Sequence, residues 1–310
     1  IGFGLNNIIR GEGSPRIAMA TMLIGALLNI ALDAWFILHL GMEVRGAALA
    51  TVLAQLTTAV WVLAYFLSNK ALLRIRLANL RPRPALCMSI FAIGSAPFAM
   101  QLASSVIIAV FNRQLASHGG DLAISVFGIV HSTAMMFMMP IFGISQGAQP
   151  IIGFNYGAQK YDRVKKTLLL AILAASALVT LGFAVAMFFP AEIVRLFDEQ
   201  DEDLIALGSH AIRICFLLFP IIGFQIISAN YFQAVGKPKQ AMFLSLSRQV
   251  ILLLPGLLIW PHFFGLDGVW MALPVSDIGS SVLTAAWLAM EIRSLGVKHH
   301  AMRDARPPSD

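Results

Sequence analysis

Charge is what this sequence has least of. Only 12% of its 310 residues are Asp, Glu, Lys or Arg, about half the share carried by soluble domains. The uncharged remainder forms repeated apolar runs longer than about 18 residues, which excludes a soluble enzyme and points to a polytopic membrane protein. Short alternating strands are lacking too, so the spans read as helices rather than barrel strands. Cysteine is scarce: Cys87 and Cys215 both fall inside apolar runs. No disulfide framework follows, and both read as small buried hydrophobes. Metal-ligand spacing, a nucleophile arrangement, a phosphate-binding loop and paired catalytic groups at a common depth are all missing. The chain therefore reads as a non-enzyme with no cofactor. Its basic loops lack interleaved aromatics, so nucleic acid is not an expected partner. There is no initiator Met and no signal peptide, and Ile1–Ile9 reads as the end of a helix already under way. An N-terminally truncated chain is the expectation.

What is present is a series of eight apolar spans, near 17–38, 46–67, 85–112, 122–148, 167–190, 212–235, 240–261 and 267–291. The expected fold is an all-α polytopic membrane protein. Lys and Arg gather in alternate connections: Arg10 and Arg16; Lys70 to Arg83; Lys160 to Lys166; Lys237 and Lys239; Arg293 to Arg306. The intervening loops hold only Arg45, Arg113 and Arg195. Basic loops stay cytoplasmic, which puts both chain ends on the cytoplasmic side.

A repeat divides the chain. Gly13-Ser14-Pro15-Arg16-Ile17-Ala18-Met19 resembles Gly236-Lys237-Pro238-Lys239-Gln240-Ala241-Met242, and each opens a span from the basic side. Such a parallel repeat belongs to two-lobed transporters. The expected organisation is residues 1–67 as the end of a first lobe (the end of one helix plus two spans), 68–84 as a cytoplasmic linker, 85–292 as a complete six-helix second lobe, and 293–310 as a cytoplasmic tail. The tail is polar and ends in Pro307-Pro308, so disorder is expected there.

The exceptional residue is Asp33, in a run that is otherwise apolar apart from Thr21 and Asn29. A carboxylate at membrane depth costs about 2.5–3.5 kcal/mol on insertion scales and marks a functional site by default. Asn29 lies one helical turn earlier, so both side chains share a face. The plainer alternative is a helix–helix hydrogen bond without transport. Arg248 and Asp277 are the other charges near mid-membrane; pairing between them is the expectation, because an uncompensated charge there is costly. His131, alone on an apolar helix, reads as hydrogen-bonded packing. Met135, Met136, Met138 and Met139 around Phe137, with Gln101, Asn112 and Gln146 nearby, read either as core and lipid-facing residues or as a soft surface suited to varied ligands. The substrate-cavity candidates are Gln101, Asn112, Met135, Met138 and Gln146.

These motifs together resemble the MATE (multidrug and toxic compound extrusion) family. In the first lobe the similar segments are Arg10-Gly11-Glu12-Gly13-Ser14-Pro15-Arg16, the run from Gly25 to Asp33, and Gly46-Ala47-Ala48-Leu49-Ala50-Thr51. In the second they are Gln149-Pro150-Ile151-Ile152-Gly153-Phe154-Asn155-Tyr156-Gly157-Ala158, Gln233-Ala234-Val235-Gly236-Lys237-Pro238 and Gly265-Leu266-Asp267-Gly268-Val269-Trp270. The resemblance covers essentially the whole chain and implies a twelve-helix, two-lobed exporter whose first four helices have no counterpart here.

It implies secondary active efflux of drugs or organic cations against inward H⁺ or Na⁺. Carried over by motif, the first-lobe cation site is Asn29, Asp33 and Thr51, without the first-helix Asp that the family also uses. The family's second-lobe acids are absent from the matching spans, which shifts the weight to Asp33. Expected partners are small-molecule xenobiotics and the lipid bilayer, with a monomeric chain. The alternatives are a lipid-linked precursor flippase of the same superfamily, which needs a cationic cavity, and a non-transporting membrane fragment.

Overall fold

The computed structural model describes residues 2–68, 71–73 and 83–304. In chain order its helices are α1 (Gly2–Gly11), α2 (Pro15–Ala34), α3 (Glu43–Leu67), α4 (Pro84–Gly157), α5 (Tyr161–Phe188), α6 (Pro190–Arg195), α7 (Glu202–Cys215), α8 (Phe219–Ala234), α9 (Pro238–Leu246) and α10 (Leu254–Asp304). Among the described residues there is no strand. Two stretches are π-helical: Trp35–His39, which continues α2, and Ser247–Leu253, which joins α9 to α10. Proline marks several starts. α2, α6, α8 and α9 each carry Pro in the first turn, where the missing N–H has no intrahelical bond to lose.

Five helical stretches are long and apolar enough to cross a membrane: Pro15–His39, Glu43–Leu67, Phe98–Gly157, Tyr161–Phe188 and Pro238–Ser294. A sixth appears when α7 and α8 are taken together. That pair replaces the single span expected at 212–235: the axis bends by 51° between Cys215 and Phe219. Pro220 accounts for the break, since its ring cannot continue a helix whose preceding turn would need its N–H.

The chain divides into two compact units, Ile1–Met88 and Ser89–Asp310. In the first, α2 and α3 run antiparallel and α1 packs against both. Ile9, Ala18, Val62 and Phe66 form its small core. The Asn6 amide donates to the Ala18 carbonyl at 3.2 Å, and the Tyr65 hydroxyl donates to Glu12 Oε1 at 2.5 Å.

In the second unit two long helices fold back on themselves. Within α4, Gly120 has φ 63 and ψ −158, a combination that glycine adopts without steric cost. Beyond it the chain returns, and Phe111 stacks on Phe127 with ring centroids 4.4 Å apart; a straight helix would separate them by about 24 Å. Within α10, Gly265 (φ 57) makes the same break. Phe243 then meets Trp287 at 4.8 Å, and Gly268 lies against the Trp260 carbonyl. α8 packs on α5 and α10. Gly223 brings the α8 backbone against that of α5 at Ala175–Ser176, the close approach that small residues allow between membrane helices.

One sequence expectation meets a different outcome, at the tail. The helix continues to Asp304 where disorder was expected. Half of the residues from Arg293 to Asp304 are good helix formers (Arg, Leu, Lys, Ala, Met), which lets α10 run on past its apolar span. Of the linker 68–84, most lies outside the described residues.

Candidate functional site

Asp33 and Asn29 occupy one face of α2, one turn apart, and both are half-buried. Asp33 Oδ1 and Asn29 Nδ2 are inaccessible to solvent, and neither has a hydrogen-bond partner among the described residues. A buried donor and a buried acceptor thus sit side by side, unpaired with each other. Such groups normally carry a partner, and each exception calls for a cause such as a bound ion or water. An ionised carboxylate only accepts, so the species suited to Oδ1 is a proton or a hard cation.

Thr51 is placed at the same level but not in the same contact. Gly46 lies against Phe36, and Gly25 against Thr58. That register sets Thr51 within about a turn of both Asn29 and Asp33. Its hydroxyl, however, donates to the Ala47 carbonyl of its own helix at 2.9 Å, and the residue is exposed. The structure brings Asn29 and Asp33 together and leaves Thr51 apart.

In the second unit, Arg248 Nε donates to Asp277 Oδ1 at 2.7 Å, with the Asp277 side chain almost fully buried. Arg248 projects from the π-helical stretch, a geometry that recurs at functional sites. Next to it, Gln249 Oε1 accepts from the Ser104 hydroxyl of α4 at 3.2 Å. One helical face of α10 continues the polar theme with Ser276, Ser280, Ser281, Thr284 and Glu291, all buried. Gln225 of α8 donates to Ser280 Oγ at 2.5 Å, and Lys237 Nζ reaches both Glu291 oxygens at 2.7 and 2.6 Å.

The substrate-cavity candidates are scattered. Asn112 lines a cleft of about 270 Å³ between the limbs of α4, with Ile108, Ile124, Phe127, Gly128 and His131. Gln101 lies about 16 Å further along the same limb. Met138 packs against the core, while Met135 and Gln146 are exposed. Met135, Met138 and Met139 share one helix face at three- and four-residue steps, while Phe137 turns to the opposite side. His131 lines the cleft and lies 5.9 Å from the Phe127 ring.

A family model described as MatE matches residues 96–258. This chain belongs to the MatE family. Multidrug export protein MepA of Staphylococcus haemolyticus (strain JCSC1435) is 27% identical over 290 residues, covering 94% of the chain and 62% of that protein. MepA of Staphylococcus aureus (strain MSSA476) is 26% identical over 275 residues, covering 89% of the chain and 60% of that protein. Among solved structures, the MATE multidrug transporter DinF-BH, in a ligand complex, is 42% identical, with TM-score 0.82, over 93% of this chain and 65% of that one. An outward-facing multidrug resistance MATE family transporter superposes with TM-score 0.84 at 27% identity, over 94% of this chain and 65% of that one. The MatE chain thus spans less than two thirds of the length of these relatives.

The polar face of α10 is the part of this MatE chain that reading the sequence missed. Its signal was available: Ser276, Asp277, Ser280, Ser281 and Thr284 recur at three- and four-residue steps in an otherwise apolar span. Such spacing places them on one helical stripe.

Proposed function

We propose that this chain forms eight membrane crossings of an exporter that drives organic compounds outward against inward H⁺ or Na⁺. α4 and the 238–294 stretch would each supply two crossings, divided at Gly120 and Gly265, and α7 with α8 one. With its basic loops inside, both chain ends face the cytoplasm.

Asp33 is the coupling carboxylate in this reading and Asn29 its neighbour. The observation that carries it is the buried, unpartnered Asp33 Oδ1 beside the unpartnered Asn29 Nδ2. An acid already satisfied by a base would have to give up that partner to bind a cation; this one does not. Antiport requires cation and substrate to oppose each other's binding, and that antagonism is reciprocal. Asn112, in its cleft with Phe127 and His131, is the substrate-cavity candidate best placed to meet a ligand. Clefts of this kind, mostly apolar with a few polar groups, suit small organic molecules.

The test uses ethidium, a fluorescent organic cation, as probe, in proteoliposomes containing the chain under an imposed H⁺ or Na⁺ gradient. Movement of ethidium should follow the gradient in the parent and be lost in Asp33→Asn, with equal protein in the membrane. Gradient-driven movement that survives in Asp33→Asn removes Asp33 from the mechanism.

A further inference from the structure

Most of the polar side chains buried in the second unit lie along one seam. α8 and the second limb of α10 run parallel there, because Gln225 meets Ser280 and, three turns on, Lys237 meets Glu291. Between those two contacts the register sets Ser228 level with Thr284. Asp277 lies one turn beyond Ser280. The seam therefore starts at the Arg248–Asp277 pair and ends at Lys237–Glu291, about 21 Å away along the helix. Asp277 is 2% exposed, Gln225 5%, Ser228 0% and Tyr231 1%.

Several of these groups lack partners. Gln225 Oε1, Ser228 Oγ, Tyr231 Oη and Ser281 Oγ are buried and accept or donate no hydrogen bond among the described residues. A buried polar group left unmade costs about 1–3 kcal/mol, and four in one seam would be expensive in a dry interior. Bound water is the usual remedy where a site is polar and has room. Room exists beside the seam at Tyr231: a small cavity of about 10 Å³ lies on the α4 side of α8, lined by Ser145 and Gln149 of α4 and by Asn230 and Tyr231 of α8 among apolar neighbours. That is about one water molecule's share of such space.

We propose that the α8–α10 seam is a hydrated path along which protons reach Asp277 from the end of the helix pair where Lys237 and Glu291 meet. The proton passes from a hydronium ion in the path to an Asp277 oxygen, leaving a neutral water and a neutral carboxylic acid, and the guanidinium of Arg248 loses its ionic partner. The Arg248 side chain is already about a quarter exposed and is held through Nε. Its π-helical backbone is the element that such a release would leave free to shift. The other titratable groups around the path are Cys215 of α7, within electrostatic reach of Asp277, and Tyr156, Tyr161 and Glu291 around Tyr231. Asp267, on the same helix, is held by His210 at 2.8 Å. This site is separate from Asp33, and its test does not require transport.

The experiment is infrared titration of the full chain in phospholipid nanodiscs. Acidification should raise a protonated-carboxyl band that is absent in Asp277→Asn. Should that variant fold poorly, Asp277→Asn combined with Arg248→Gln removes both charges together and serves in its place. In D₂O the band should shift about tenfold more slowly in Ser228→Val and in Tyr231→Phe than in the parent. A titrating band unaffected by loss of Asp277, no band at all, or unchanged exchange in both seam variants overturns the proposal.

Discussion

The chain holds the same two-helix device twice, once at 15–67 and once at 238–294, and the copies differ most in how they treat charge. Their turns correspond. Gly13 (φ 89) and Gly236 (φ 75) precede a helix whose first residue is Pro15 or Pro238. Gly41 (φ 61) and Gly265 (φ 57) turn the chain at the far end. Gly46 and Gly268, on the returning helix, then lie close against the end of the outgoing one. At the entry end each copy is closed by a polar contact, Tyr65 to Glu12 in one and Lys237 to Glu291 in the other. The acids, however, do not correspond. The first copy has Asp33 on its first helix with no ion pair among the described residues; the second has Asp277 on its second helix, bound to Arg248. One backbone plan can thus hold an acid away from any base among the described residues or pair it with one.

The sharpest way to break this comparison is to remove one charge from each copy. Asp277→Ala or Arg248→Ala leaves a buried charge uncompensated and should cost about 3–5 kcal/mol, while Arg248→Met combined with Asp277→Leu should recover most of it. Thermal unfolding in detergent reads both. Asp33→Asn has no ionic partner to strand, so the same assay should show no loss. A loss as large as that of the Asp277 variant would mean that Asp33 has a structural partner and the two copies are alike.

The turns give a smaller effect. A methyl group on Gly268 meets the Trp260 carbonyl and the Pro261 nitrogen, whereas on Gly46 it meets the Phe36 and Met42 Cβ atoms and the Phe36 carbonyl carbon at 2.9–3.2 Å. Gly268→Ala should therefore cost about 1–3 kcal/mol and Gly46→Ala less, since its contacts are less compressed. Equal losses would place the tight approach in both copies. Smallest is the first copy's closing contact. Tyr65→Phe removes one hydrogen bond to a carboxylate, and a loss of about 1–2 kcal/mol is expected, read as a lowered unfolding midpoint. No change would show that this hydrogen bond contributes nothing to that end.

Hydropathy alone made the helical stretches legible, and the two fold-back points fall where the sequence places loops, around Gly120 and Gly265. Asp33 was legible because a lone acid in an apolar run stands out without any neighbour. The bend between α7 and α8 was hidden, since Cys215 to Leu218 is as apolar as the spans on either side and only Pro220 hints at a break. The helical extension to Asp304 was hidden by polarity, which resembles that of a disordered tail. Lys237–Glu291 and Gln225–Ser280 were out of reach, because each joins residues more than fifty positions apart and only the packed helices decide which meet. Thr51 was legible only by motif likeness to the Asp33 group; its hydroxyl donates to the Ala47 carbonyl and keeps its oxygen lone pairs.

The central claim is that a cation at Asp33 and an organic substrate exclude one another. It is tested most directly by counting the protons or Na⁺ ions released into weakly buffered solution as a lipophilic cationic dye binds the purified chain. The account predicts about one ion released per dye bound by the parent and none by Asp33→Asn. Equal release from both, or dye binding with no ion released by the parent, would contradict it.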